Sequence, residues 1–282
     1  MRVKSNHQKT FGKDGSIGWI HKIGNDQPRP VFVREQKPTP KIENVWALAL
    51  AMASHPEADR KRREVAAELG VSLQACVDMF VGCGWDAHDG REYASFPSFG
   101  FGKCIGISRR YKGGKKKTLR GTSNAGVFVC RHYWHQVGPI FLVEGPSDTL
   151  AFRSCNLCVI GRPSNIGGSS VIVDMIRQRK LTNRPVIVVV ELDRKEHHEL
   201  SPQIRDQHDA DCDGCRCCAP GLFGAIETCK QLEAIGVKAR WAVPVEGCKD
   251  GREMMNQGRL EEWLKFERVY DSVFCPALDI GG

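Results

Sequence analysis

Between residues 139 and 243, short continuous apolar runs alternate with stretches whose apolar positions recur every three or four residues. The runs at 140–144, 157–160, 186–192 and 237–243 are bounded by turn signals, which predicts buried strands. Helices are predicted between them at 147–154, 169–179 and 222–235. The last carries Leu222, Ile226, Cys229, Leu232 and Ile235 and is stopped by Gly236. Such alternation predicts a mostly parallel sheet with flanking helices and right-handed crossovers. The run PVIVVVEL is the strongest strand signal, a β-branched series of the kind parallel sheets bury on both faces. In the first strand Glu144 ends the apolar run, Gly145-Pro146 turns the chain, and Ser147 can cap the helix that follows.

The pattern differs upstream. Residues 44–85 read as helical, and AAELGVSLQACVDMF resembles a helix-turn-helix with Gly70 at the turn and Ser72 as the next N-cap. Such a unit either reads a DNA major groove or simply packs. The second helix, Leu73 to Asp78, has no Arg or Lys for phosphate or guanine, which favours packing. Residues 91–136 read as twisted antiparallel strands. Residues 1–41 are rich in Gly, Pro and Lys, with short β pieces at 17–23 and 31–34 and a linker marked by Pro38 and Pro40. The expected organisation is therefore an irregular segment (1–41), a helical segment (42–90), a basic β-rich subdomain (91–138), an α/β domain (139–258) with a Cys-rich insertion (194–221), and a tail (259–282).

Composition narrows the partners. At 282 residues, 41% hydrophobic and 26% charged, the chain reads as a globular protein. A net charge of +8 favours an acidic partner, nucleic acid before membrane. No apolar run reaches transmembrane length and MRVKSNHQKTFG is not a signal peptide, so a cytoplasmic location with reduced thiols is expected for the 13 cysteines. No GxxxxGK[ST] loop occurs, which argues against a fused ATP-driven motor. Seven basic side chains and no acid lie between residues 109 and 120: Arg109, Arg110, Lys112, Lys115, Lys116, Lys117 and Arg120. A charge run is commonly a solvated face. Strand-like flanks and the lack of local acids favour phosphate contact here, with Arg131 and Arg162 as further candidates.

The acids carry the chemistry. Glu191 and Asp193 follow the strongest strand, and period-two alternation puts them on one side. If that strand neighbours the one ending at Glu144, three carboxylates meet at the carboxyl edge of the sheet, with Asp148 close behind. Oxygen-only clusters suit Mg²⁺ or Mn²⁺, which take one or two carboxylates plus phosphates and water. For any single acid the alternative is a solvated strand end; two acid-tipped strands in one alternating domain argue against it.

Glu-Gly followed by an Asp after one strand, then acid-x-Asp after the next long strand, resembles the TOPRIM domain of primases, topoisomerases and some nucleases. Gly224-Ala225, Lys249-Asp250 and the basic stretch FGFGKCIGISRRYKGGKKKTLRGTSNAGVF are similar to bacterial and phage-type primases in particular. The resemblance covers roughly residues 85–258. It implies that Glu144 is the metal-site glutamate, that Glu191 and Asp193 are the paired acids, and that Lys249 and Asp250 lie near the nucleotide. The chain departs from the pattern at Glu191, which is one methylene longer than the usual Asp. Residues 1–75 also hold no cysteine where such primases carry an N-terminal zinc module. The resemblance implies primer synthesis on a single-stranded DNA template from nucleoside triphosphates, with a replicative helicase as a separate partner. The alternatives are a TOPRIM nuclease and a DNA-binding accessory factor without turnover.

HDADCDGCRCCAPG supplies one further cluster. CxxC is metal-knuckle spacing, and His208, Cys212, Cys215 and one of Cys217 and Cys218 could hold one structural Zn²⁺. His197 and His198 are substitutes for His208. The alternative is a Cys-rich loop without metal.

Overall fold

The computed structural model describes residues 9–11, 17–19, 41–131, 135, 138–192 and 217–269, with 9–11, 17–19 and 266–269 described by backbone alone. Residues 1–39 and 40–282 are separate compact units. In the first, β1 (Lys9–Phe11) pairs antiparallel with β2 (Ile17–Trp19). The second strand falls where a β piece is expected; the expected piece at 31–34 lies outside the described residues.

The second unit begins with α1 (Val45–Ala53), α2 (Ala58–Leu69) and α3 (Leu73–Asp78). Gly70 closes α2 in the left-handed region at φ 69°, and the Ser72 side chain accepts a hydrogen bond from the Ala75 N–H to open α3. These helices pack. Leu69, Ala75, Cys76 and Met79 join Ala94, Phe96, Leu150 and Ala151 in one buried cluster, and Arg153 holds Asp78 at 2.7 Å.

An antiparallel sheet follows in the order β3 (Gly82–Asp86), β4 (Arg91–Gly100), β5 (Lys103–Tyr111) and β6 (Lys116–Thr118). The first strand lies in the segment read as helical. Its GCGWD sequence carries two glycines and hides the alternation. Gly82 is needed because α1 presses on the strand: a Cβ there would stand 2.5 Å from the Met52 backbone carbon.

The larger sheet has the order β11 (Ala239–Ala242), β10 (Val186–Val189), β8 (Ile140–Glu144), β9 (Cys158–Arg162) and β7 (Phe128–Val129). Four strands are parallel and β7 is antiparallel at the edge, as expected of a mostly parallel α/β sheet. Period-two alternation gives it two apolar faces. Ile140, Leu142, Ile160, Val186 and Val188 pack under α5 (Ser169–Gln178) and α6 (Pro220–Glu233). Phe141, Val143, Val159, Ile187 and Val189 face α4 (Gly145–Ser154), α7 (Gly251–Asn256) and α8 (Leu260–Val269) through Phe152, Met254 and Trp263.

Two element ends differ from expectation. α4 starts at Gly145, so Ser147 sits inside its first turn and Glu144 holds the N-cap position. The regular pairing of β10 ends at Val189, short of Glu191. Among the described residues no helix is long and apolar enough to cross a membrane.

Candidate active site

β8 and β10 are neighbours, in register from Val186 opposite Ile140 to Val188 opposite Leu142. From β8 the chain passes to β9 on one side and then to β10 on the other. The carboxyl ends of β8 and β10 therefore flank the switch point where open α/β sheets bind ligands. Glu144 ends β8 there, and Gly145 follows at φ 69°, a conformation that favours glycine and lets α4 leave the strand at once.

Glu191 meets Glu144 at this edge, and the two side chains share a hydrogen bond. Burial pushes the Glu191 carboxyl up, but that bond and the charges of Lys249 and Lys116 outweigh it and hold the group below the usual range. Lys249 Nζ stands 3.2 Å from Glu191 Oε1. The Leu192 N–H donates to the Lys249 carbonyl at 2.9 Å, which ties the loops after β10 and β11 together. Asp250, next in sequence, caps α7 by accepting from the Glu253 N–H at 2.8 Å. Asp148, one turn into α4, is buried. Burial first, then the negative charge of Asp250 and more weakly that of Glu191, push its carboxyl up to about 8 against the pull of Arg252 and Lys116. Four acids thus crowd one edge of the sheet, with Lys116, Lys249 and Arg252 around them.

Beneath them lies Arg162, directly across from Glu144 on β9. It is 0% exposed, and it donates to the carbonyls of Asn165 at 2.7 Å and Val189 at 3.4 Å. Arg162, expected among the template and triphosphate contacts, is buried here. Arg162 is a buried cation under the acid edge, lowered in pKa by burial and supported by the charge of Glu144.

Glu144 and Lys116 both line a cleft of about 510 Å³ between the two sheets. Its walls carry Ser98, Ser123, Asn124 and Ser164, with Gly168 at the start of α5. Hydroxyls, amides and glycine backbone make a polar, small-residue surface that suits sugar and phosphate oxygens.

The basic run divides in two. Arg109 donates to Asp86 Oδ2 at 2.6 Å and lies 5.3 Å from the Tyr93 ring centroid; Tyr111 donates to the same Asp86 oxygen at 2.5 Å. That hydroxyl, opposed by burial and helped by the Asp89 and His88 N–H groups and by Arg109, holds Asp86 down at about 2. Arg110 pairs with Glu68 at 2.9 Å and Lys117 with Asp89 at 2.5 Å. Lys115 also reaches Asp89, at 4.0 Å, so four of the seven are engaged by acids distant in sequence. Lys112, Lys115, Lys116 and Arg120 are exposed, and Lys116 is the one that reaches the cleft with Glu144. Arg131 lies over the Phe80 ring at 4.8 Å.

Asp193, His197, His198, His208, Cys212 and Cys215 lie outside the described residues. Of the cysteine cluster, Cys217 is half-buried and Cys218 buried. Among the described residues no three His, Cys, Asp or Glu side chains gather closely enough to enclose a metal ion. Glu144 and Glu191 form an oxygen-only pair, which fits Mg²⁺ or Mn²⁺ in their habit of taking few carboxylates and completing their shell with phosphates and water. Sequence reasoning missed Arg252 and the hydroxyl wall of the cleft. Arg252 could have been found from its place two residues after Asp250, at the start of a capped helix.

No protein-family model matches the sequence, and no curated protein does. Solved structures do. The zinc-binding and RNA polymerase domains of the Aquifex aeolicus primase are similar over 79% of this chain and 60% of that one, at 12% identity and TM-score 0.50. The Escherichia coli primase catalytic core is similar over 83% and 84%, at 14% identity and TM-score 0.49. The primase fragment of the bacteriophage T7 primase-helicase is similar over 71% and 72%, at 14% identity and TM-score 0.44. The sheet order defines the class, an α/β protein whose mostly parallel five-stranded sheet is preceded by helices and an antiparallel sheet. More narrowly, the fold is similar to that of the Aquifex aeolicus primase domains.

Proposed function

We propose that this chain is a primase-type nucleotidyltransferase that makes short RNA primers on single-stranded DNA. The observation that carries the reading is the Glu144–Glu191 pair at the switch point, opening on a polar cleft that Lys116 also lines. Glu144, Glu191 and Asp193 would hold Mg²⁺ or Mn²⁺, with Asp148 behind them. The ion would neutralise phosphate charge and assist the attacking and leaving oxygens. Lys116 and Lys249 would receive the triphosphate, and their charges already lower Glu191. Arg162 lets the carboxylates stand close before any cation arrives. Exposed Lys112, Lys115 and Arg120 would attract the template, with a replicative helicase as a separate partner. A structural Zn²⁺ at His208, Cys212, Cys215 and one of Cys217 and Cys218 belongs to the same proposal.

The test is incubation with single-stranded DNA, labelled ribonucleotides and Mg²⁺ or Mn²⁺. Short oligomers are expected, and Glu144→Gln or Asp193→Asn should reduce their yield by about 100-fold or more, the scale of removing an electrostatic group from a reacting centre. Shortened template in place of product would establish a nuclease. Binding with neither product would leave an accessory factor.

A further inference from the structure

The turn joining β4 to β5 is built against its own sequence. Gly100 pairs with Lys103, leaving Phe101 and Gly102 as a two-residue loop, both with positive φ at 52° and 76°. Hairpin loops with two positive φ values favour Asn-Gly or Gly-Gly, and a bulky residue there is an outlier. Phe101 gains no packing in return, since it is 61% exposed. Neither backbone nor core calls for a phenyl ring at this position.

Its surroundings are basic and joined to the cleft. The hairpin lies along α5: a Cβ on Gly100 would stand 3.6 Å from Val171 Cγ1, and one on Gly102 3.9 Å from Gln178 Oε1. Ser98 and Gly168 line the cleft at the near end of this contact. Phe101 lies at the far end, about 15 Å along a helix of this length. Lys103 on the turn and Arg177 and Lys180 at the end of α5 are exposed, as are Gln178 and Arg179 between the last two. The nearby acid, Asp174, accepts a hydrogen bond from Gln178 at 2.8 Å, and none of Lys103, Arg177 and Lys180 forms an ion pair among the described residues. Lys180 also has a positive φ, 56°.

We propose that Phe101, Lys103, Arg177 and Lys180 form a second contact for single-stranded nucleic acid, where a strand leaving the cleft stacks a base on the ring and lays phosphates on the cations. An exposed aromatic among exposed cations is the combination that binds single strands without reading sequence. The inference rests on the primase reading of the cleft and adds the path of the strand beyond it.

Fluorescence anisotropy with labelled single-stranded DNA of about 6 and about 20 nucleotides, bracketing known site sizes, tests it. The intact protein should bind the longer strand more tightly. Phe101→Gly, which relaxes the backbone while removing the ring, should weaken the longer strand by about 10-fold, and Phe101→Trp should restore it. Reversing Lys103, Arg177 and Lys180 to Glu should lower the salt-dependence slope by about 2. Lys116→Ala should weaken both lengths. An effect of Lys116→Ala without one from Phe101→Gly would overturn the second contact and leave the primase reading standing. Failure of the intact protein to bind either length would remove both. A change in sedimentation but not in DNA affinity on Phe101→Gly would make the tip a protein interface and overturn the proposal.

Discussion

The two sheets treat charge in opposite ways. In the antiparallel sheet, positive groups dominate the sequence, yet the structure closes four of them on acids: Arg109 on Asp86, Arg110 on Glu68, and Lys115 and Lys117 on Asp89. At the edge of the parallel sheet, acids crowd together until Asp148 is pushed up to about 8 and Glu191 bonds to another carboxyl group. In the first arrangement much of the charge is met by acids within the fold. In the second, Asp148 stays raised even with Arg252 and Lys116 nearby. A dense run of one sign in the sequence therefore need not stay uncompensated in the fold.

The largest effect that can break this contrast is removal of the cation beneath the acids. Arg162→Ala should destabilise the protein by about 3–5 kcal/mol in urea unfolding, because buried carboxylates would lose their counter-charge. A loss below about 1 kcal/mol would mean that the acid edge is compensated from elsewhere.

Next come opposite pH responses, measured as melting temperature without divalent ions. Asp86 is held down at about 2, so its contribution is present above the unfolded carboxylate range near 4 and is lost as pH falls toward 2. Asp148 is raised to about 8, so the folded state binds the extra proton and stability declines as pH rises from about 4 to 8. Asp86→Asn should flatten the acid limb. Asp148→Asn should flatten the neutral-to-alkaline limb and raise the melting temperature at pH 8, by roughly 2–4 °C for each kcal/mol relieved in a protein of this size. Identical limbs in both variants would erase the distinction. The smallest effect should come from Lys112→Ala, within about 0.5 kcal/mol of the parent, because that side chain is exposed and outside the paired set.

Much of the parallel sheet was legible because its strands are unbroken apolar runs and its helices keep their period. The meeting of Glu144 with Glu191 was legible too, since both acids directly follow such runs. What could not be read were partners set by tertiary approach. Asp86 lies 23 residues from Arg109, and Glu68 lies 42 from Arg110, so no local pattern links them. Gly82 and Gly84 disguised β3, and the burial of Arg162 depends on which strand lies beside β8. The Phe101 turn escaped notice because its meaning lies in a backbone angle.

A short strip of backbone, residues 126–129, has one further consequence. Val127 exchanges hydrogen bonds with Phe99 of the antiparallel sheet, and Phe128 pairs with Gly161 of the parallel one. Both sheets are thus riveted to adjacent residues of a single strand, and Gly126 and Phe128 form part of the cleft wall between them. The gauge of the cleft is fixed by main chain. Side-chain substitution along its walls should retune what the protein accepts without resizing the slot.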